Sequence, residues 1–329
     1  MGIKGLTQLL KEKAPGSIES VGLYSFQDKK IAIDCSIFIY KSLMNIRYNG
    51  DYLRNKQGKP VSHIIGLFNK TIQYLSLGIT PIYIFDGKPP IEKKECIQER
   101  NKKANESKEK LSSATNQQER NQLEKSSIRI KKEHIDDLKL LFNFMGVSYF
   151  HPEGEAEAFA SELCRIGYVD AVVSEDMDTL AYGCPVLIRS CIDRSIKKKE
   201  VCSIFSYLKL LEDMKLTPEQ FLDVCVLSGC DYCTTIPKIG PVRAYQYIQQ
   251  YKTIENMISS NKFTIPQSFL DRYQKARGLF SIFKNTIDLQ NLPSHFHSSQ
   301  LNNLKLYDFL VINCNMNEKK YYTSINKIK

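Results

Sequence analysis

Three short apolar runs in this chain each end in an acid. Ile31-Ala32-Ile33 runs into Asp34, Ile82-Tyr83-Ile84-Phe85 into Asp86, and Ala171-Val172-Val173-Ser174 into Glu175-Asp176-Met177-Asp178. Runs of this length, rich in β-branched residues and bounded by polar ones, read as buried strands. Between them lie amphipathic stretches at 61–77 and 134–145, the second stopped by Gly146, a residue suited to the backbone turn that ends a helix. Strand alternating with helix predicts an α/β fold, a central and mostly parallel sheet with helices on both faces. Such sheets collect ligands at the carboxyl ends of their strands. The acids fall there.

At 329 residues, with 42% hydrophobic side chains, the chain is long enough to bury a large core. Lys and Arg outnumber Asp and Glu by 46 to 36, a net charge of +10, which is compatible with a polyanionic partner and equally with none. The 10 cysteines are scattered. There is no secretory leader and no apolar run long enough to span a bilayer, so a reducing intracellular setting is expected and no membrane partner. Met1-Gly2 invites a myristoyl anchor, but Leu6 stands where Ser or Thr is required.

Residues 91–133 differ from their surroundings: 12 Lys and Arg against 8 Glu, a net +4, few large apolar residues, and no Pro or Gly. Two readings stay open, a solvated helix or disordered linker and a helical insertion over the active face that a polyanion orders. Further on, Thr217-Pro218-Glu219-Gln220 is a strong helix start, with Thr as cap, Pro at the first position and Gln three on. That helix leads to Gly229-Cys230-Asp231, then to Ile239-Gly240-Pro241 and a second helix from about Val242, two helices joined by a turn containing Gly.

Gly154-Glu155-Ala156-Glu157 adds two carboxylates near another helix start. Each acid alone reads as a cap or a surface residue. Together, Asp34, Asp86, Glu155, Glu157, Asp176, Asp178 and Asp231 lie at element ends, and if they converge their like charges raise one another's pKa. Hard divalent cations resolve that conflict, and oxygen-only ligation suits Mg²⁺ or Mn²⁺ rather than Zn²⁺. Two such ions roughly 4 Å apart activate water and stabilise a leaving oxygen in phosphodiester hydrolysis. Five histidines without a cluster offer little to a histidine mechanism. Tyr40 and Arg47 are seven residues apart, as are Lys93 and Arg100; on a helix each pair shares a face. An aromatic stacks on a base and cations neutralise phosphate, while the plainer reading makes Tyr40 core and the cations solvated. Cys230-x-x-Cys233 lacks the second Cys pair of a zinc site and reads as structural.

These motifs, with the opening Met1-Gly2-Ile3-Lys4-Gly5-Leu6, Asp34-Cys35-Ser36, Phe85-Asp86-Gly87-Lys88-Pro89-Pro90 and Gly229-Cys230-Asp231-Tyr232-Cys233, resemble the eukaryotic flap endonucleases in order and spacing from residue 1 to about 250. The resemblance implies a PIN-like 5′-nuclease fold and a structure-specific 5′-flap endonuclease with 5′→3′ exonuclease activity. Its work would be Okazaki-fragment maturation and long-patch base-excision repair, in the nucleus (nucleoplasm and nucleolus) and, by family, the mitochondrion. It implies two Mg²⁺ ions on the seven acids, with Lys93, Arg100 and Asp178 catalytic. Tyr40 matches a base-stacking position, Arg47, Lys70 and Gly229 match DNA contacts, and Gly2, Glu155, Asp231, Lys238 and Gly240 are expected to contact DNA as well. Removal of Met1 would expose the Gly2 amine. The implied layout is an N-terminal nuclease region 1–104, a helical arch 91–133 threaded by a free 5′ end, an internal region 122–253 with a helix–two-turn–helix at about 217–250, and a C-terminal region 254–329.

Two departures stand out. The family's Gly-x-Gly-Pro reads Lys238-Ile239-Gly240-Pro241 here, which bears on the turn and its bound K⁺, and offers Lys238 to phosphate directly. The Gln-x-x-Leu-x-x-Phe-Phe motif for the sliding clamp (PCNA) does not occur before Lys329, so clamp binding by that route is not expected. The enzyme would act on branched 5′-flap DNA as a monomer. A sister 5′-nuclease of mismatch repair, a junction resolvase and a catalytically silent binder of branched DNA are the alternatives.

Overall fold

The computed structural model describes residues 2–48, 51–114, 116–190, 200–282, 287, 295–296 and 300–328. Its strands are β1 (Ile18–Gly22), β2 (Lys30–Asp34), β3 (Arg47–Tyr48), β4 (Asp51–Tyr52), β5 (Thr80–Ile84), β6 (Tyr149–Phe150), β7 (Ala171–Val173), β8 (Val186–Ser190), β9 (Val201–Ser206) and β10 (His295–Phe296). Strands β3 and β4 form a small hairpin, and the rest form one sheet in the order β1-β9-β8-β7-β2-β5-β6-β10. The centre, β8 to β6, is parallel, and antiparallel strands close both edges. This is the expected mostly parallel α/β sheet.

From β2 the chain builds outward through β5 and β6, then returns to the other side of β2 with β7 and β8. That reversal between β2 and β7 is the switch point where a parallel sheet opens a crevice. Side chains alternate across a strand. Ile31, Ile33, Tyr83, Phe85 and Val173 pack into one core, with the helices Ser62–Ser76 and Lys132–Met145. Ala32, Ile82, Ile84 and Val172 pack into another under the helix Ala156–Arg165. Burial of both faces explains why β2 is apolar without alternation. A third core gathers the helices Leu6–Lys13, Tyr207–Met214, Pro218–Ser228 and Pro241–Tyr251.

Helix ends behave as their chemistry requires. Gly146 closes Lys132–Met145 at φ 68. Thr217 and Gln220 form the reciprocal cap of Pro218–Ser228, a feature worth about 1 kcal/mol. Residues 91–133 resolve in favour of helices: a 3₁₀ turn Ile91–Lys93, then Lys94–Leu111 and Gln117–Ser127 packed as a hairpin. One helical expectation is corrected. The helix after Asp34 ends at Asn45, and Arg47 lies beyond it on β3, so Tyr40 and Arg47 do not share a helical face. Ile46 already has extended backbone (φ -94, ψ 92), which ends the helix less than two turns beyond Tyr40.

Candidate active site

Register gathers the acids. Asp34 pairs with Ile84, two residues before Asp86. Ile33 pairs with Val173, which sets Asp34 level with Ser174, two residues before Asp176. Two-residue steps keep a strand's side-chain facing, so Asp34, Asp86 and Asp176 emerge on the Ala32 face. That face is covered by the helix Ala156–Arg165, which starts from Glu155 and carries Glu157 in its first turn. Ala156 N–H donates to Asp86 Oδ1 at 3.0 Å, so a helix N-terminus faces the acids with its unpaired donors. Gly87 tightens the junction. Gly87 N–H donates to the Gly154 carbonyl and Lys88 N–H to that of Glu153, both at 2.9 Å, and a Cβ on Gly87 would lie 2.0 Å from the Pro152 oxygen.

Hydroxyls that the sequence did not single out hold the carboxylates in place. Ser36 donates its hydroxyl to Asp86 and its N–H to Asp34 Oδ1 at 3.0 Å. Ser174 donates to Asp34 Oδ2 at 3.2 Å and accepts from Asp176 N–H at 3.1 Å. Only Ser36's place two residues after an acid could have marked it. Asp178 accepts from Ile3 N–H at 2.8 Å, which brings the N-terminus into the site. A Cβ on Gly2 would fall 1.8 Å from Asp176 Oδ1, and its φ is 79, so space and backbone both demand glycine.

Oxygens of Asp86, Glu155 and Glu157 lie within 4.8 Å of one another. Burial, then Asp86 and Asp176, push the Asp34 carboxyl from 3.8 up to about 8. Burial and neighbouring carboxylates likewise push Glu157 and Asp178 well above the usual range. Burial also raises Glu155, although Lys93 opposes it. Lys93 pairs with Glu155 and lies 3.6 Å from Asp231; burial is the largest single influence and works against its charge, but Glu155, Tyr232 and Glu157 together outweigh it and hold the ammonium protonated. Arg100 donates to both oxygens of Asp231, at 2.7 and 2.9 Å. Thus Asp86, Glu155 and Glu157 form one cluster, the charges of Asp34, Asp176, Asp178 and Asp231 act on it or on one another, and Lys93 and Arg100 pair with Glu155 and Asp231.

The sign of these shifts sets a pH dependence. Folded protein holds these protons more tightly than unfolded chain does, so the contribution of these acids to metal-free stability is fully present below about pH 4 and is lost as pH rises toward 8. A divalent cation removes the penalty. In EDTA the Tm should fall across that window, and saturating Mg²⁺ should raise it by about 5 °C near pH 8 and by less near pH 5. A Tm indifferent to both would mean that the acids share no field.

The other expected contacts lie around this centre. Gly2, Arg100, Gly229 and Asp231 line a cavity of about 620 Å³ with Lys103 and Arg189. Tyr40 donates its hydroxyl to the Lys125 carbonyl at 3.0 Å, and Arg47 pairs with Glu124, so both touch the second hairpin helix. Lys70 lies apart, in a cavity of about 260 Å³ with Glu175 and Arg189; burial and Lys41 bring its amine down to about 8. Lys238 and Gly240 stand at the turn before Pro241–Tyr251. Lys238 adopts φ 66, the left-handed backbone a glycine would take, at a cost of about 1 kcal/mol. Cys233 is buried and bridges Cys230 by backbone, as the structural reading expects.

A rim of oxygen donors at the switch point of a parallel sheet defines a metal-dependent nuclease. A model of the XPG N-terminal domain matches residues 1–107, and one of the XPG I-region matches 146–231. Flap endonuclease 1 of Glycine max is 39% identical over 336 residues, covering 100% of this chain and 87% of its own length. That of Anoplopoma fimbria is 40% identical over 286 residues, covering 85% and 74%. Flap endonuclease-1 from Methanococcus jannaschii shares the fold with a TM-score of 0.70 at 24% identity, covering 99% of this chain and 98% of that one. The catalytic core of Rad2 in complex with DNA substrate gives 0.72 at 19%, covering 100% of both. The chain belongs to the flap endonuclease family, and it is a nuclease acting on DNA. Among the described residues no helix is long and apolar enough to cross a membrane.

Proposed function

We propose that this chain is a structure-specific 5′-flap endonuclease with 5′→3′ exonuclease activity, serving Okazaki-fragment maturation and long-patch base-excision repair. One observation carries the reading: the Asp86, Glu155 and Glu157 carboxylates cluster at the rim of the sheet, and Lys93 and Arg100 from the start of the helical hairpin reach Glu155 and Asp231 beside them. The donors fit two Mg²⁺ ions, with Mn²⁺ as a substitute, because they are all oxygen, and because burial and neighbouring carboxylates raise Asp34, Glu157 and Asp178, a cost that a cation would relieve. Asp34, Asp86, Glu155, Glu157, Asp176, Asp178 and Asp231 would hold them. Bound there, the ions supply the charge that activates water and stabilises the leaving oxygen.

The chain's own groups bind and orient the DNA. Lys93 and Arg100, which now neutralise Glu155 and Asp231, neutralise the scissile phosphate once it arrives. Gly2 lets phosphate approach backbone closely, and Tyr40 stacks on the base beside the cut. Arg47, Lys70 and Gly229 contact the sugar-phosphate backbone, while Lys238 and Gly240 do so at the helix–two-turn–helix. The left-handed backbone kept by Lys238 supports a K⁺ ion at that turn. The hairpin, part of the 91–133 arch between the 1–104 and 122–253 regions, admits a free 5′ end, which favours flaps over continuous strands. The family adds action as a monomer, PCNA as a partner, and a nuclear location that includes the nucleolus, with the mitochondrion second.

Cleavage of labelled flap, gapped, blunt and four-way DNA, with and without Mg²⁺, tests the reading. Mg²⁺-dependent cutting at the flap base, blocked by a bulky 5′ cap, is expected. Preference for the four-way junction, or binding without product, would overturn it.

The hairpin contact makes a separate expectation. Glu124→Ala removes the acid from Arg47 and should tighten flap binding roughly three-fold. The salt dependence should steepen by about one phosphate contact. An unchanged salt slope removes Arg47 from the DNA interface.

A further inference from the structure

Lys93 carries a point charge on a flexible stem, and the ion pairs that hold it are with Glu155 and Asp231. Both acids belong to the set proposed to take metal ions, so those pairs weaken when the site fills. A partner that metal does not consume remains. The Lys93 ammonium stands 6.0 Å from the ring centroid of Tyr232, and that ring is 3% exposed.

The ring is itself fixed. Tyr232 and Tyr182 are joined hydroxyl to hydroxyl. Phe280 packs against both, with centroids 5.2 Å from Tyr232 and 5.0 Å from Tyr182. Tyr182 directly follows the helix Asp178–Ala181, and Tyr232 directly follows Asp231 between the bridged Cys230 and Cys233. Ring orientation is therefore tied to the two segments that carry Asp178 and Asp231.

We infer that Tyr232 is the positioning residue for Lys93: its face, set by Tyr182 and Phe280, holds the ammonium at the scissile phosphate once Glu155 and Asp231 are engaged elsewhere. This rests on the role given to Lys93 above. The attraction is that of a cation for an aromatic quadrupole, so it depends on the ring's electron density and not on its hydroxyl.

The test is single-turnover cleavage of a 5′ flap in Mg²⁺ by the full chain, with binding measured in Ca²⁺. Phe and progressively fluorinated phenylalanines at position 232 keep the ring's shape while draining its face. Tyr232→Phe should retain most of the rate, and the fluorinated series should fall stepwise to about ten-fold slower with binding unchanged. Tyr232→Leu should be slow alone and add no further loss to Lys93→Ala. A flat series overturns the inference, as does a Leu effect that persists in the Lys93→Ala background, because either makes the ring mere packing. Should Lys93→Ala itself cut at the wild-type rate, the role of Lys93 fails first and this inference with it. If the Leu variant does not fold, the fluorinated series decides alone.

Discussion

Asp178→Ala should abolish flap cleavage, a loss of about 1,000-fold or more in single-turnover rate, equivalent to about 4 kcal/mol. Flap binding in Ca²⁺ or EDTA should stay within a few-fold of wild type. Asp178 is 7% exposed, and it stands among like charges with Ile3 N–H as its donor. Such a group adds nothing to the attraction for DNA, since a carboxylate beside phosphate repels it. Its use lies in holding positive charge where the reaction needs it. The same repulsion predicts a second effect. Asp178→Asn keeps an acceptor for Ile3 but loses the charge, so in EDTA near pH 8 this variant should melt above the wild type while remaining inactive. Equal losses of binding and cutting in the Ala variant would refute the role.

Lys93→Ala should slow the chemical step by about 100-fold while changing flap affinity only a few-fold. The asymmetry follows from position. On the proposed reading a flap is held by many phosphate contacts, of which Lys93 would contribute one, so its loss would be diluted in affinity. In the reaction the side chain stands between Glu155, Asp231 and Tyr232, shielded from water, where a fixed charge acts on developing negative charge with little screening. Saturating single-turnover rates separate the two effects, and an unchanged rate removes Lys93 from the site.

Much of this centre was legible because its signals are local. An apolar run ending in an acid needs no partner to be read, and neither does Thr217 four residues ahead of its helix's first buried Phe. The hairpin was not legible. Among the described side chains of 94–127 only Ala104 is buried, so composition alone left helix and linker open. What holds them is remote: Lys93 on Glu155, Arg100 on Asp231, Arg129 on Asn101, and Glu95 on Arg272 at 2.6 and 2.7 Å. The error over Arg47 has the same origin, because helical spacing was carried past Ile46 to a residue whose partner, Glu124, lies 77 positions away.

By itself, then, the amino-acid order determined three central strands, β2, β5 and β7, the acids at their ends and the family they mark. Each is written in neighbouring residues. Tertiary structure alone decided that the acids meet on one face, that Ser36 and Ser174 bridge them, and that Tyr232 lies under Lys93. Those outcomes depend on strand register and on packing between segments far apart in the chain, where a shift of one residue in a strand would turn the acid at its end to the other side of the sheet.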